Sequence, residues 1–411
     1  MTTLLKNATN IHRIDLINYF ILIYAFTLSF PIEIKRVIVI IMILLWITDR
    51  TTYNFKLPET KIFLYFGIFL VYSLLSYFWS DVTFQEALNY IRRYWYYLTV
   101  FIIFKYLEKK YLKYSISFFL LGMLVSEILS YGNYFSFWQI GLGQPYNPTV
   151  FLHHTVNSIF LSITAIFLMS KIIYQKEYTM KIFYFIFFTT VTTNLLVNSG
   201  RTGYFTLFIT IIIVIICIYK MNLKIILITF TSMIFTLYLA YNLSPNFKNR
   251  IHAIESDISN ILKKNYNTSI GARIGFWIIT KEILKENPLF GVGIANNLNK
   301  KNKYISDNNL KNFSYLKSLV HFHNNYLEII SQFGILGLVL FLYIIYLISI
   351  IKIKDKTIYI LKISSISIFL LASLTDIVFY LSNTILLFSF ILGIILAQYK
   401  IEQETLKKYN Y

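Results

Sequence analysis

One cysteine in 411 residues, Cys217 inside an apolar run, leaves no disulfide framework and no cysteine metal site. Acidic residues are scarce, 19 against 38 Lys plus Arg, and charged residues of both signs make up only 14% of the chain. Against this, 57% of the residues are apolar, with 37 Phe and 34 Tyr. A water-soluble surface cannot be built from such a composition, so the chain reads as a polytopic, all-α integral membrane protein. The net charge of +19 is then assigned to lysines that mark cytoplasmic loops, and nucleic acid is set aside as a partner. The opening stretch MTTLLKNATNIHRIDLINYF has basic residues before an apolar run but no small-residue cleavage site, so it is read as a first span. No internal repeat and no low-complexity tract breaks the pattern.

Apolar runs long enough to cross a bilayer as helix fall near 14–31, 33–49, 62–79, 93–108, 112–131, 150–171, 182–199, 202–220, 224–243, 326–350, 358–379 and 382–399, about twelve spans. With both termini inside, the inner segments hold 20 Lys plus Arg, Arg50, Lys56 and Lys61 among them. The short outer segments hold five: Lys35, Arg36, Arg92, Arg93 and Arg201. That asymmetry sets the orientation. Three parts follow: spans one to nine over 1–243, a periplasmic loop over 244–323, and spans ten to twelve with a short cytoplasmic tail over 324–411.

A loop of about 80 residues far exceeds the usual connection and is a functional candidate by that fact. Within it, SPNFKNRIHAIESDISNILKK reads as an amphipathic helix, and SIGARIGFWIITKEILKENP as a second, with Ser269 as its N-cap and a stop at Asn287-Pro288. LFGVGIANN follows as a tight apolar turn, and the Lys/Asn-rich stretch beyond it is expected to be mobile.

Ionisable side chains in or near spans suggest function by default, and here they share one level. Glu127, His153, His154, Arg201, His323, Glu328 and Asp376 all fall at or near the outer end of a span, with no chain of carboxylates at the midplane. A coupled transporter would place its site at the midplane, between two related halves. Each residue also has a plain structural reading. Arg92 and Arg93 serve as interfacial anchors, His153 and His154 as ordinary interfacial histidines, and Glu127 and Glu328 are satisfied by neighbours. Asp376 needs a partner, for which Arg201 or Arg273 is expected.

The stretch VHFHNNYLEIISQFGILG is the sharpest candidate. With Asn324 beginning the tenth span, His323 lies at a helix amino end. There the free N–H groups favour an anion and the dipole disfavours imidazolium, which leaves a neutral base. Zinc is the rival reading. It is disfavoured because a two-residue spacing puts the rings of His321 and His323 on opposite sides of a helix, with no third ligand in the motif. No G-x-S-x-G context supports a serine nucleophile. Arg201 in NSGRTGYF and Arg273 in TSIGARIGFW offer planar forks to phosphate oxygens. A neutral base with two guanidinium groups suits attack by a sugar hydroxyl on a glycosyl carbon whose leaving group is a lipid diphosphate, with no nucleotide, cofactor or metal.

At these residues the chain resembles the O-antigen ligase and O-antigen polymerase superfamily of bacterial envelope proteins. The resemblance rests on His323-Asn324 followed by nine residues and Gly334-x-x-Gly337, on the arginine helix closed by NPLFGVG, on SGRTG, on YFWSD at 77–81, and on the twelve-span plan with its long outer loop. It implies a metal-independent glycosyltransferase of the bacterial inner membrane, with its active site facing the periplasm and an undecaprenyl-diphosphate-linked glycan as donor. Carried over, His323 is the base, and Arg273 and Arg201 bind the diphosphate. His321, a looser match, is placed at the acceptor, and Asn324, Arg92, Arg93, His154 and Asp376 are grouped with it as substrate-binding. TSIGARIGFW, VHFHN and LTDIVFY look more like ligases, with lipid A-core as acceptor, than like polymerases, which join carrier-linked repeats. A protein O-oligosaccharyltransferase, a lipid-linked glycan transporter and an envelope scaffold are the more distant alternatives.

Overall fold

The structure is a computed structural model that describes residues 2–49 and 61–409. Arg50 and Lys56, counted above as cytoplasmic, lie outside the described residues. The chain runs through α1 (Thr2–Thr27), α2 (Ile32–Ile47), α3 (Lys61–Leu75), α4 (Phe84–Ile91), α5 (Leu98–Tyr106), α6 (Lys109–Tyr134), α7 (His154–Tyr174), α8 (Tyr178–Val197), α9 (Arg201–Tyr219) and α10 (Leu223–Leu243). A helical loop follows, with α11 (Pro245–Leu262), α12 (Ser269–Glu286), α13 (Asn297–Asp307) and α14 (Ser314–Ser318), and then α15 (Asn325–Ser349), α16 (Lys356–Ala372) and α17 (Ser382–Tyr409). The described residues hold no strand, only an isolated bridge between Gln144 and Asn147.

Eight of these helices are long and apolar enough to cross a membrane, among the described residues: α3 with its 3₁₀ extension to Trp79, α6, α7, α8, α9, α10, α15 and α17. The other four expected spans depart from their expected bounds. The run at 14–31 stops at Thr27, and that at 33–49 gives the 16-residue α2. The run at 93–108 divides into a 3₁₀ turn at Tyr94–Tyr97 and the nine-residue α5. The run at 358–379 ends at Ala372, because the carbonyls of Ser373 and Leu374 accept from Asn325 N–H (2.8 Å) and Asn324 Nδ2 (3.2 Å) on the next layer instead of continuing the helix.

Helices dominate because apolar surroundings leave backbone groups no partner but each other. Serine and threonine inside them back-bond to carbonyls one turn earlier, as Thr164 does to Phe160 O at 2.8 Å. The apolar stretches of α17 and α7 are 83% and 78% buried against 6% for α10, so the first two are the central posts and α10 is peripheral. α7 packs on α8, α9 and α16, and α17 packs on α5. Ser162 Oγ donates to Gly203 O at 2.8 Å across the α7–α9 crossing, where a Cβ on Gly203 would sit 2.4 Å from Ser158 Cβ. Only a residue without a side chain lets the two helix starts approach so closely. Arg201 is thereby brought beside the start of α7.

The long loop has its own apolar core, made by Phe276, Ile279, Ile283, Val292, Ile305, Phe313, Leu316 and Phe322. The N-cap of α12 is Thr268, whose hydroxyl accepts from Gly271 N–H at 3.1 Å, and the expected cap Ser269 is the first helical residue. The Lys/Asn-rich stretch expected to be mobile is folded as α13 and α14. Lys301, buried there, donates to Leu316 O at 2.7 Å and Leu319 O at 2.5 Å, so its ammonium is satisfied by the carbonyls that precede the histidines.

The motifs interlock. α15 is broken at Gly334 (φ 66°, ψ −167°), and the loop segment 288–293 lies in the break: Ile335 N–H donates to Pro288 O, and Gly293 N–H to Gln332 O. Ser80 and Ser76 of the YFWSD region hold Ile294 O and N–H at 2.8 and 3.0 Å. A Cβ on Gly334 would stand 2.2 Å from Leu289 O, in a region of φ/ψ space that only glycine occupies freely. Gly334→Ala should therefore lose roughly 3 kcal/mol or more of stability. A melting curve of the detergent-solubilised variant checks this, and an unchanged midpoint would show that the interlock is dispensable.

Candidate functional site

A cavity of about 620 Å³ opens between the helical loop and the ends of α2, α7 and α17. Its wall includes Arg36, Arg93, His153, His154, Ser269, Arg273, Tyr315, His321, His323, Asp376 and Asn383. Of the residues expected from sequence, His321, His323, Arg273, Arg93, His154 and Asp376 meet here, with His153 beside them. Asn324, Arg92 and Arg201 are not on the wall.

The two histidines sit on a non-helical, bent segment between α14 and α15. Phe322 points into the loop core, fully buried and stacked on Phe276 at 4.7 Å, while His321 and His323 both turn to the cavity with ring centroids 4.1 Å apart. The expectation of rings on opposite sides assumed a helix, and the backbone here is not helical. The segment is held from beneath by a buried carboxylate on α15. Glu328 Oε2 accepts from Phe322 N–H at 3.0 Å and Oε1 from Gln332 Nε2 at 2.7 Å, which answers the question of its partners.

The helix amino end does not offer the anion site expected of it. Asn324 is the N-cap of α15, its Oδ1 accepting from the N–H groups of Tyr326 and Leu327 at 3.0 Å each. Asn325 N–H goes to Ser373 O and Glu328 N–H to Asn324 O. The first turn therefore has no N–H left for a ligand, and Asn324 is occupied as a cap.

His323 takes a left-handed conformation (φ 46°) and places Nδ1 3.8 Å from Asp376 Oδ1. At that separation the pair is a charge contact rather than a hydrogen bond. Burial first, then His321 and the Arg273 guanidinium, hold the His323 imidazole down at about 3. His321 is lowered to about 4 by burial, then by Arg93 and Lys301. Burial raises the Asp376 carboxyl to about 6, against the pull of the Ile377 N–H and Arg273. At neutral pH the pair is thus a neutral imidazole facing a carboxylate. The cause is mainly desolvation and not, as the sequence suggested, the field of a helix end.

Arg273 reaches the cavity from the first turn of α12. Its Nη1 donates to Ser269 O at 3.1 Å and its Nη2 to Thr375 O at 3.3 Å, while its buried Nε has no partner among the described residues. Asp376 faces both Arg273 and His323, so one of the two expected arginine partners is present. Arg201 instead lies 3.9 Å from Asp257 Oδ2 on α11, behind the wall but close enough to Arg273 to lower it. Segment 373–381 is the hub of the site: it carries Asp376, meets Arg273 at Thr375 O, and meets α9 through the Thr202 and Thr375 hydroxyls at 2.8 Å. Glu127 is buried on α6 and does not line the cavity.

Sequence reasoning missed Arg36 and Asp257. Arg36 stood only as one of five outer cations, and nothing local in Asp257's stretch points to Arg201, from which it is separated by α10. Nδ1/Nε2 atoms of His321 and His323 and an oxygen of Asp376 lie within 4.8 Å of one another, a spacing a metal ion could use. The surrounding charge opposes it, since Arg93, Arg273 and Lys301 repel a cation as they repel a proton on these rings.

If the carboxylate of Asp376 supports a charge forming on His323, kcat/KM for the donor falls as pH drops through about 6, where Asp376 takes up its proton. Asp376→Asn should flatten that limb. It should also cost between roughly tenfold and a thousandfold in rate above it, the upper end being the Coulomb energy at an effective dielectric of about 20. A pH–rate profile of both proteins decides, and an unmoved limb would assign it to another group.

Comparison with known proteins bears on the same stretch. A family model described as O-Antigen ligase matches residues 185–342, a span that contains Arg201, Asp257, Arg273, Lys301, both cavity histidines of the loop, Glu328 and Gly334. A protein of Haemophilus influenzae, carrying the description "uncharacterized protein", is 26% identical over 217 residues, covering 51% of this chain and 53% of its own. The chain thus spans about half the length of that relative. Eight bilayer-length apolar helices make the chain a multi-pass membrane protein. Over residues 185–342 it is similar to the family described as O-Antigen ligase.

Proposed function

We propose that the protein is an O-antigen ligase, which transfers a glycan from undecaprenyl diphosphate to a sugar hydroxyl of lipid A-core at the periplasmic face of the inner membrane. The observation that carries this reading is the meeting of His323, Asp376 and Arg273 in one large cavity bounded by the loop. In this reading α1, α2, the segment ending in α5, and α16 complete a twelve-crossing bundle, and the excess of inner lysines argues for 244–323 outside. Spans one to nine, the loop, and spans ten to twelve are its three parts.

The chemistry follows from the charges. The acceptor oxygen attacks the anomeric carbon, the bond from that carbon to the diphosphate oxygen breaks, and the hydroxyl proton passes to His323. Nδ1 of His323 faces Asp376, so Nε2 is the nitrogen left for the acceptor. An imidazole lowered to about 3 is a weak base in the empty cavity. Burial is the main cause, and a diphosphate arriving against Arg273 offsets only the smaller cationic part with its own negative charge. The donor thereby makes the base stronger, with Asp376 stabilising the imidazolium as it forms. Arg273 takes the growing charge on the leaving diphosphate through the guanidinium edge it turns to the cavity. Arg201, one layer back, adds to the field or swings from Asp257 once the donor is bound.

Gel electrophoresis of lipopolysaccharide from a deletion strain tests the assignment. A ligase leaves bare lipid A-core while long glycan accumulates on its carrier. A single repeat on lipid A-core would make the protein a polymerase that uses the same site on a carrier-linked acceptor. Normal lipopolysaccharide would overturn both.

A further inference from the structure

The cavity is cationic on more than the Arg273 side. Arg36, at the start of α2, and Arg93, between α4 and the 3₁₀ turn that leads to α5, are also on its wall. His321 feels Arg93 as its strongest neighbouring charge, whereas Arg273 acts on His323. The histidine pair thus shares its cavity with guanidinium groups besides Arg273. Neither Arg36 nor Arg93 forms an ion pair among the described residues. Arg36 is exposed and is steadied only by a 3.4 Å donation from Nε to Tyr96 Oη. The Arg93 guanidinium carbon lies 4.4 Å from the centre of the Tyr380 ring, which is itself stacked on Tyr90 at 4.3 Å. A guanidinium positioned by a ring face keeps its edge N–H groups free for an anion.

We propose that Arg36 and Arg93 form a second anion site, which holds a phosphate group of the acceptor while Arg273 holds the donor. The proposal rests on the transferase reading above. Two guanidinium forks match a phosphate monoester, which carries about −1.5 to −2 at neutral pH, better than they match a single carboxylate. Both arginines lie outside the matched stretch 185–342, so the donor chemistry and the acceptor contact come from different parts of the chain. An acceptor phosphate has two sources: a phosphorylated lipid A-core sugar, or the diphosphate of a second carrier-linked repeat.

The full-length protein in lipid nanodiscs, supplied with undecaprenyl-diphosphate-linked glycan as donor, tests this. The acceptors are phosphorylated lipid A-core, the same lipid after phosphatase treatment, and a carrier-linked repeat. Arg36→Gln and Arg93→Gln should each raise KM for the phosphorylated acceptor tenfold or more and leave donor KM unchanged. The phosphatase-treated lipid should be used as poorly by the wild type as by the double variant. A KM effect confined to the carrier-linked repeat supports the same site with the other phosphate source. Arg36 is exposed and makes a single long hydrogen bond, so that arm does not depend on folding, and Arg93→Lys keeps a cation over Tyr380. A rise in donor KM, or equal losses with and without the acceptor phosphate, would overturn the second site while leaving the transferase reading intact. If the wild type transfers glycan to none of the acceptors, the transferase reading itself falls.

Discussion

His323→Ala should abolish glycan transfer while the donor still binds. General-base catalysis contributes roughly 10² to 10⁴ in rate, and His323 is the one cavity imidazole that faces both a carboxylate and Arg273. The loss should appear in kcat, because the alanine removes the proton acceptor without touching the guanidinium group that holds the diphosphate. The nearby His321 does not substitute. It lies beside Arg93, and its buried Nδ1 has no hydrogen-bond partner among the described residues, so an imidazolium there would face a guanidinium group without a hydrogen bond to hold its proton. Binding of labelled donor to the purified variant, next to its single-turnover rate, separates the two effects. Loss of donor binding along with turnover would make His323 a structural or anion-holding residue instead. Dialysis against EDTA should leave wild-type transfer unchanged. Recovery of a chelated protein by one divalent metal would turn the His321, His323 and Asp376 trio into a metal site.

Arg273→Lys should cost nearly as much as Arg273→Ala, about 10² to 10³ in kcat, since electrostatic stabilisation of a leaving anion is usually the largest single contribution in a site of this kind. Charge alone is not the issue. Arg273 spends one N–H of Nη1 on Ser269 and one of Nη2 on Thr375 and keeps further N–H groups, a division of labour that needs a planar group with several donors. A lysine would have to choose between holding segment 373–381 and meeting the diphosphate. Donor KM should rise as well. Kinetics over a range of donor concentration check both parameters, and full rescue by lysine would reduce Arg273 to a simple counter-charge.

Much of this was readable along the chain. Apolar runs marked the eight bilayer-length helices, Pro245 and the polar stretch after Leu262 bounded α11, and the helical spacing around Arg273 marked α12. These features are local: a helix is specified by its own hydrogen bonds and by the apolar length that lipid requires. The motif residues His323, Arg273 and Asp376 were also visible, because ionisable groups beside apolar runs stand out wherever they occur.

What sequence alone could not determine depended on contacts between distant residues. Asp376 was placed inside a span, but the helix stops at Ala372 because carbonyls of residues 373 and 374 are taken by Asn324 and Asn325, about 50 positions away. The rings of His321 and His323 share a face because the backbone between Leu319 and Asn324 is bent rather than helical, with His323 left-handed, and it is held so by Lys301, Glu328 and the burial of Phe322. Arg36 joined the cavity with no motif to announce it, and Asp257 met Arg201 from the far side of α10. Composition and period therefore determined which segments are bilayer-length helices and which ionisable residues are candidates for the site. Tertiary packing decided which of those residues face one another. Desolvation and charge contact act across space, and a chain read in order contains neither.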